Sequence, residues 1–214
     1  NSLSDDKIQI KMTLQVKISN KLVPYEKAFS FLKKRVELVK NVKGKELIWI
    51  LEHPLTFTGG IRSKEKEVLD KKIKIIKTNR GGKITLHSPG QKIVYFVLDL
   101  NKRKKDIKNL VKTIELIIID FLKLYKIKSY ADKKNIGIWV KDKKIAAIGI
   151  RVSNWVAYHG FSININNNLN YYKKIIPCGL DNTKITSAEI ESKIKILNKE
   201  KKLRDIFIKK LKNI

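Results

Sequence analysis

The sequence predicts an α+β fold, and three observations carry that expectation. Several stretches alternate or run apolar residues as strands do, three others repeat them at helical spacing, and the two kinds are not interleaved one for one. Strict strand–helix alternation points to a parallel sheet, whereas runs of strands broken by a few long helices point to α+β. At 214 residues the chain fits one large domain or two small ones. No repeat, Pro- or Ser-rich linker or composition break divides it, so one domain over 1–214 is expected.

Each element has its own reason. Residues 8–18 alternate apolar and polar without a break, as in a strand with one buried face. Pro24 opens a helix whose Tyr25, Ala28, Phe29, Leu32, Val36 and Val39 share one stripe, and Gly44 closes it. Residues 47–51 are a buried strand ending at Glu52-His53-Pro54 and a Gly59-Gly60 turn. A short strand is expected over 73–76, a glycine-rich stretch over 80–91 and an apolar strand over 93–100. Residues 107–125 carry the clearest helical stripe, from Ile107 to Tyr125. Strands are expected at 136–140, 144–150 and 161–166, and a helix over 191–214 with Leu203, Ile206, Phe207 and Leu211 on one side.

Composition excludes several function classes. The net charge of +28 invites a nucleic-acid reading. Yet 42 of the 48 basic residues are Lys and only 6 are Arg, the residue suited to bidentate phosphate and guanine contacts. With 33 Ile and 16 Asn beside them, the lysines read as coding drift spread over solvated faces, and no specific nucleic-acid partner is expected. The greasy run Leu116–Ile119 is cut by Asp120, and no stretch approaches the roughly 20 apolar residues a span needs, so no membrane span is expected. A single Cys excludes an internal disulfide framework, and the polar, partly acidic start Asn1–Asp6 carries no secretory or transit pattern. A reducing, cytoplasmic setting is the expectation.

Few residues are left to carry chemistry. Cys178, between Pro177 and Gly179, reads either as an accessible thiol in a tight turn or as a buried structural Cys. Lys144 begins the small-residue strand Lys144–Ile150, where Ala and Gly let a ligand come near, and an ammonium beside a thiol would favour thiolate. Arg80-Gly81-Gly82 is no P-loop, since neither GxxxxGK[ST] nor GxGxxG is present. His53, His87 and His159 each precede a Gly or Pro turn, as loop residues at a pocket edge would, and no HxH or HxxxH spacing supports a metal site.

In order along the chain, these segments resemble the octanoyl-[acyl-carrier-protein]:protein octanoyltransferases of lipoate synthesis, from about Val23 to Ser187. The matching motifs are Glu52-His53-Pro54 with Phe57-Thr58 and Gly60; Arg80–Thr85 with His87 and Pro89-Gly90-Gln91; and Gly137-Ile138-Trp139-Val140. Further on come Lys144–Arg151, His159-Gly160 with Asn164 and Asn166, and Pro177-Cys178-Gly179. The resemblance implies an α/β fold with a larger and a smaller mixed sheet flanked by helices, shared with lipoate and biotin protein ligases. It implies Cys178 as the acyl-thioester nucleophile, with Lys144 lowering its pKa and shuttling its proton. Arg80, Gly81, Gly82, Lys83, Ile84, Thr85, Leu86 and His87, then Ala147, Ile148 and Gly149, then Gly160, Phe161 and Ser162, would bind the octanoyl substrate.

The implied partners are octanoyl-acyl carrier protein and the lipoyl domains of 2-oxoacid dehydrogenases and of a glycine cleavage H-type protein. A monomer needing neither ATP nor metal is implied. Leu86 stands where the family usually has Tyr or Phe and Ser88 where it has Gly; Leu55-Thr56 replaces Pro-Val, and Asn168 a frequent Asp. If Leu86 and Ser88 touch the pocket wall, chain-length preference is affected. Two rivals predict different behaviour: an ATP-dependent lipoate or biotin ligase would need no Cys, and a basic nucleic-acid module would be indifferent to Cys178.

Overall fold

A computed structural model of the chain describes residues 14–177 and 184–214. The stripe behind Pro24 folds as α1 (Tyr25–Lys40), with Pro24 at its N-cap and Tyr25, Ala28, Leu32, Val36 and Val39 buried. Pro fits there because the first N–H groups of a helix have no acceptor within it. The helix stops at Asn41, and Val42 makes the turn at a φ of 57°. Gly44 is needed for room instead, since a Cβ there would lie 2.7 Å from that of Leu38. On either side of α1 run β1 (Leu14–Ile18) and β2 (Glu46–Leu51), paired in parallel with Val16 opposite Ile48. Residues 8–13 of the expected first strand lie outside the described residues.

β2 continues into a seven-stranded sheet with β6 (Gln91–Asp99), β10 (Val156–Asn164), β9 (Lys143–Ser153), β8 (Ile138–Val140) and β7 (Tyr130–Ala131), in the order β1-β2-β6-β10-β9-β8-β7. A second, three-stranded sheet joins β4 (Ile75–Lys77), β3 (Thr56–Gly59) and β5 (Ile84–His87), in that order. The other helices are α2 (Ile107–Lys123), started by the Asp106 carboxylate accepting the Asn109 N–H, α3 (Ala188–Ser192) and α4 (Lys199–Leu211). This is the α+β fold with a large mixed and a smaller sheet that the resemblance implies. Among the described residues no helix is long and apolar enough to cross a membrane.

Strand parity divides the core. Leu47, Trp49 and Leu51 of β2 and Ile93, Tyr95 and Val97 of β6 face α1. Ile48 and Ile50, with Val94, Phe96 and Leu98, face α2 and α4, where Ile114, Ile118, Phe121, Leu203 and Phe207 meet them. Both faces of these strands are covered, which is why they read as continuous apolar runs. At the start of β6, Lys92 is 3% exposed and paired with Glu52 at 2.8 Å and with Glu200 of α4, while the other oxygen of Glu52 accepts the Gly90 N–H.

Some boundaries differ from expectation. β3 was not expected, because Thr-Phe-Thr-Gly is too short to show a period; the turn expected at Gly59-Gly60 begins at its end, with the Ser63 N–H donating to the Gly60 carbonyl at 3.0 Å. β9 and β10 are longer than predicted and form one hairpin over Asn154 and Trp155, both at positive φ, a two-residue turn that matches strand twist. α4 occupies only 199–211 of the expected 191–214, with Lys193 and Asn198 left-handed before it.

Candidate functional site

Between the small sheet and the α1-side face of the large one lies a cavity of about 270 Å³. Its walls are the Arg80–Lys83 turn, Thr85 and His87 of β5, Lys144 and Ala147–Gly149 of β9, and Gly160–Ser162 of β10. Two of the expected substrate residues do not line it. β5 alternates, so Ile84 and Leu86 turn the other way and pack with Phe57, Tyr172 and Ile175 in the small-sheet core. The unusual Leu86 is therefore not part of the cavity wall. Ser88 is buried but likewise not among the lining residues.

Glycine opens the space. Gly149 and Gly160 face each other across β9 and β10. A Cβ at Gly160 would run into the Val94 carbonyl oxygen, so no other residue fits that close approach of β6. At Gly149 a Cβ would make only ordinary contact, 3.4 Å from the Gly81 oxygen.

Lys144 is 6% exposed at the start of β9. Its N–H donates to the Lys184 carbonyl at 2.8 Å, and its carbonyl accepts from the Thr186 N–H at 3.0 Å. Its Nζ donates to the Ile136 carbonyl at 2.8 Å and lies 5.9 Å from the centre of the Trp139 ring. Gly137, at a φ of 146°, makes that path possible, because a Cβ there would collide with Lys144 Cε and lie 2.6 Å from the Ala146 oxygen. Cys178 and Gly179 lie outside the described residues. The chain on either side of them meets Lys144: Pro177 shares with it, Thr85, Ser162 and Asn164 a small void of about 10 Å³, and Lys184 accepts its N–H.

His87 and His159 line the cavity as expected of pocket-edge residues, and the His53 ring lies 5.5 Å from that of His87, but only His53 is in a loop. His53 follows β2, His87 ends β5, and His159 sits inside β10 at a φ of 68°. That left-handed turn carries the His159 ring back to the α1 side, where it stacks on Phe29 and Tyr158. His53 is fully buried behind the cavity rather than at its edge.

Hydrogen bonding sets all three tautomers. His53 donates from Nδ1 to the Val23 carbonyl at 2.5 Å, so its Nε2 accepts from the Tyr95 hydroxyl at 2.9 Å. Gln91 spends its NH₂ on Leu86, Asn164 and Tyr172, so its Oε1 accepts from His87 Nδ1 at 2.8 Å. His159 donates from Nε2 to Asn79 Oδ1 at 2.8 Å. Burial first, with the Val23 carbonyl only partly opposing it, pushes His53 down to about 4. Burial and then the His53 ring push His87 to about 3, and burial with Arg80 and Arg151 pushes His159 to about 3. All three are neutral at pH 7. Among the described residues, no three His, Cys, Asp or Glu side chains come together as metal ligands.

Arg80 is committed to holding the wall: its Nη2 donates to the Thr58 carbonyl and hydroxyl, both at 2.8 Å, and its Nη1 to the Gly81 carbonyl at 3.0 Å. Five lining residues are cations (Arg62, Arg80, Lys83, Lys134 and Lys144) and none is acidic. With 48 basic residues in 214, an even spread would place about as many cations there, so the charge is not concentrated on the cavity. Sequence reasoning missed Tyr25 and Tyr95, which also line it. Both sit in apolar stripes and read as core; burial raises both phenols above their usual value.

Residues 24–213 match the family described as the lipoyl protein ligase A/B catalytic domain. An octanoyltransferase of Wolbachia pipientis subsp. Culex pipiens (strain wPip) is 42% identical over 177 residues, covering 80% of this chain and 86% of the relative. Among solved structures, a lipoate-protein ligase A bound with ATP superposes with a TM-score of 0.73 at 12% identity, over 92% of this chain and 86% of the other. Biotin protein ligase from Aquifex aeolicus, in complex with biotin and ATP, gives 0.52 at 14% identity over 94% and 70%. At such identities these two similarities speak of fold alone.

Proposed function

Because this chain belongs to the octanoyltransferases of the lipoyl protein ligase A/B catalytic-domain family, we propose that it moves an octanoyl group from octanoyl-acyl carrier protein, through a Cys178 thioester, to a lysine of lipoyl domains. The observation that carries this reading is Lys144. A buried lysine holds one backbone carbonyl with its Nζ, at the wall of an acyl-sized cavity and beside both flanks of the segment containing Cys178.

The chemistry follows from the residue types. Lys144 takes the Cys178 thiol proton as the sulfur attacks the donor thioester carbonyl. The tetrahedral intermediate collapses, the carrier thiol leaves, and Lys144 returns the proton to it. An acceptor lysine amine then attacks the enzyme thioester; Lys144 accepts the amine proton and passes it to the departing Cys178 sulfur. Exchange between thioesters is nearly balanced and amide formation runs downhill, so neither ATP nor a metal is required. Burying six methylenes of the octanoyl chain offers about 5 kcal/mol, at about 0.8 kcal/mol each. The acceptors in this reading are the lipoyl domains of 2-oxoacid dehydrogenases and a glycine cleavage H-type protein, and the enzyme works as a cytoplasmic monomer.

Intact mass spectrometry after incubation with octanoyl-carrier protein tests the reading. An octanoyl adduct is expected on the native protein and absent from Cys178→Ala, and Lys144→Ala should keep the fold and lose transfer. No adduct on the native protein overturns the covalent route. A Cys178→Ser variant that ligated free octanoate with ATP would replace it by the ligase reading.

A further inference from the structure

Asn164, the last residue of β10, is 5% exposed and uses both ends of its amide. Its Oδ1 accepts from Gln91 Nε2 at 2.9 Å, from Asn167 Nδ2 at 3.2 Å and from the Tyr172 hydroxyl at 3.3 Å. Its Nδ2 donates to the Thr186 carbonyl at 3.0 Å. The Thr186 N–H donates in turn to the Lys144 carbonyl at 3.0 Å. On the other side, Gln91 accepts from His87 at 2.8 Å. A continuous run of hydrogen bonds therefore leads from the cavity wall at His87, through Gln91 and Asn164, to the backbone of Lys144.

The same amide gathers two stretches that are separate in the chain. Tyr172 precedes residues 178–183 and Thr186 follows them. Only Asn and Gln combine such an acceptor with such a donor, and Asn has the shorter reach; Asp lacks the donor and Ser the span. We propose that Asn164 is a positioning residue for acyl transfer, holding the Thr186 stretch against Lys144 and the Tyr172 stretch to the same point. This inference rests on the Cys178–Lys144 reading above. Asn164 lies one hydrogen bond from Thr186 and two from Lys144, so it acts through them and not on the substrate.

Kinetics of Asn164→Asp test it, since this near-isosteric change replaces the donor facing Thr186 by an acceptor. With octanoyl-carrier protein as donor and a lipoyl domain as acceptor, kcat should fall about 100-fold, the scale of a misplaced reacting group, with donor KM little changed. The pH profile of Cys178 alkylation by iodoacetamide should move in the same variant. A purely structural role would lower Tm and move neither readout. Tyr125→Phe sets that benchmark, removing a hydrogen bond to the Leu197 carbonyl on the far face, and should lower Tm with kcat unchanged.

If Asn164→Asp does not fold, Tyr172→Phe keeps the ring and removes one donor from Oδ1; a severalfold fall in kcat and the same displaced profile are expected. Native kcat with a native alkylation profile in the folded variant overturns the inference. If the native enzyme forms no acyl adduct on Cys178, the transfer reading fails first and takes this inference with it. An adduct on the native enzyme with an unaffected Asn164 variant sinks the inference alone.

Discussion

The two faces of the large sheet use the same strands to opposite ends. Toward α2 and α4, β6 and β10 present Val94, Phe96, Leu98, Ala157 and Ile163, none more than 1% exposed. Toward α1 they present Val97 and Val156 as packed core, and toward the small sheet Tyr95, Gly160 and Ser162, with Tyr158 and the His159 ring between. One face is filled by side chains that pack and titrate nothing. The other is opened by facing glycines beside the α1 core, where His87, His159, Tyr95 and Arg80 have hydrogen-bond partners of their own. Residue parity along a strand thus keeps one face packed throughout and leaves room for a cavity only on the other.

Acid should break this comparison most strongly, because all three histidines lie on the open side. Each is neutral in the fold, with a pKa below the ordinary 6.5. The unfolded chain therefore binds more protons below pH 6.5, and stability falls as pH falls. Each ring contributes about 1.4 kcal/mol per pH unit, so well below pH 6.5 the three together give about 4 kcal/mol per unit. The loss from His53 levels off near 4 and that from the other two near 3. Urea denaturation from pH 7.5 to 5 should show this slope, and His53→Gln should remove about a third of it. A flat profile would mean that the open side is not closed to protons.

Phe121→Ala tests the filled side. Phe121 is fully buried against Tyr125 and the α2–α4 core, and its loss should cost about 3–5 kcal/mol by chemical denaturation. Gly137→Ala sharpens the boundary between the two roles. Its Cβ collides with Lys144 Cε, so about 2 kcal/mol of stability should go with a transfer rate reduced at least tenfold. Leu86→Phe should act on stability only. It overpacks the small-sheet core by about 1–2 kcal/mol and should leave chain-length preference, read from a series of acyl donors, unchanged.

Much of this was legible beforehand, for identifiable reasons. α1, α2 and β2 carry long apolar patterns that local sequence alone can show. The glycines and Lys144 were legible only through the order of motifs that carries the resemblance, since one lysine among 42 and a Gly-Gly turn say little by themselves. What escaped depends on direction. The resemblance puts the whole Arg80–His87 stretch at the substrate site, and only the pairing of β5 with β3 shows that Leu86 points away. His159 was read as a loop residue because His-Gly resembles a turn, whereas in the fold it is a left-handed residue inside a strand. Tyr25 and Tyr95 were hidden in core stripes, since a stripe records burial and cannot tell a packed neighbour from a cavity.

The Lys92 pairing has a consequence for how this chain can vary. An ammonium sealed between Glu52 and Glu200 is tolerable only while its carboxylates remain, and losing a partner of such a group costs several kcal/mol. Exchanging the whole set for apolar residues is often close to neutral. Glu52 is further tied by the Gly90 N–H it accepts. The three positions are therefore separated from any apolar alternative by a barrier of poorer single variants, and they should change together or not at all.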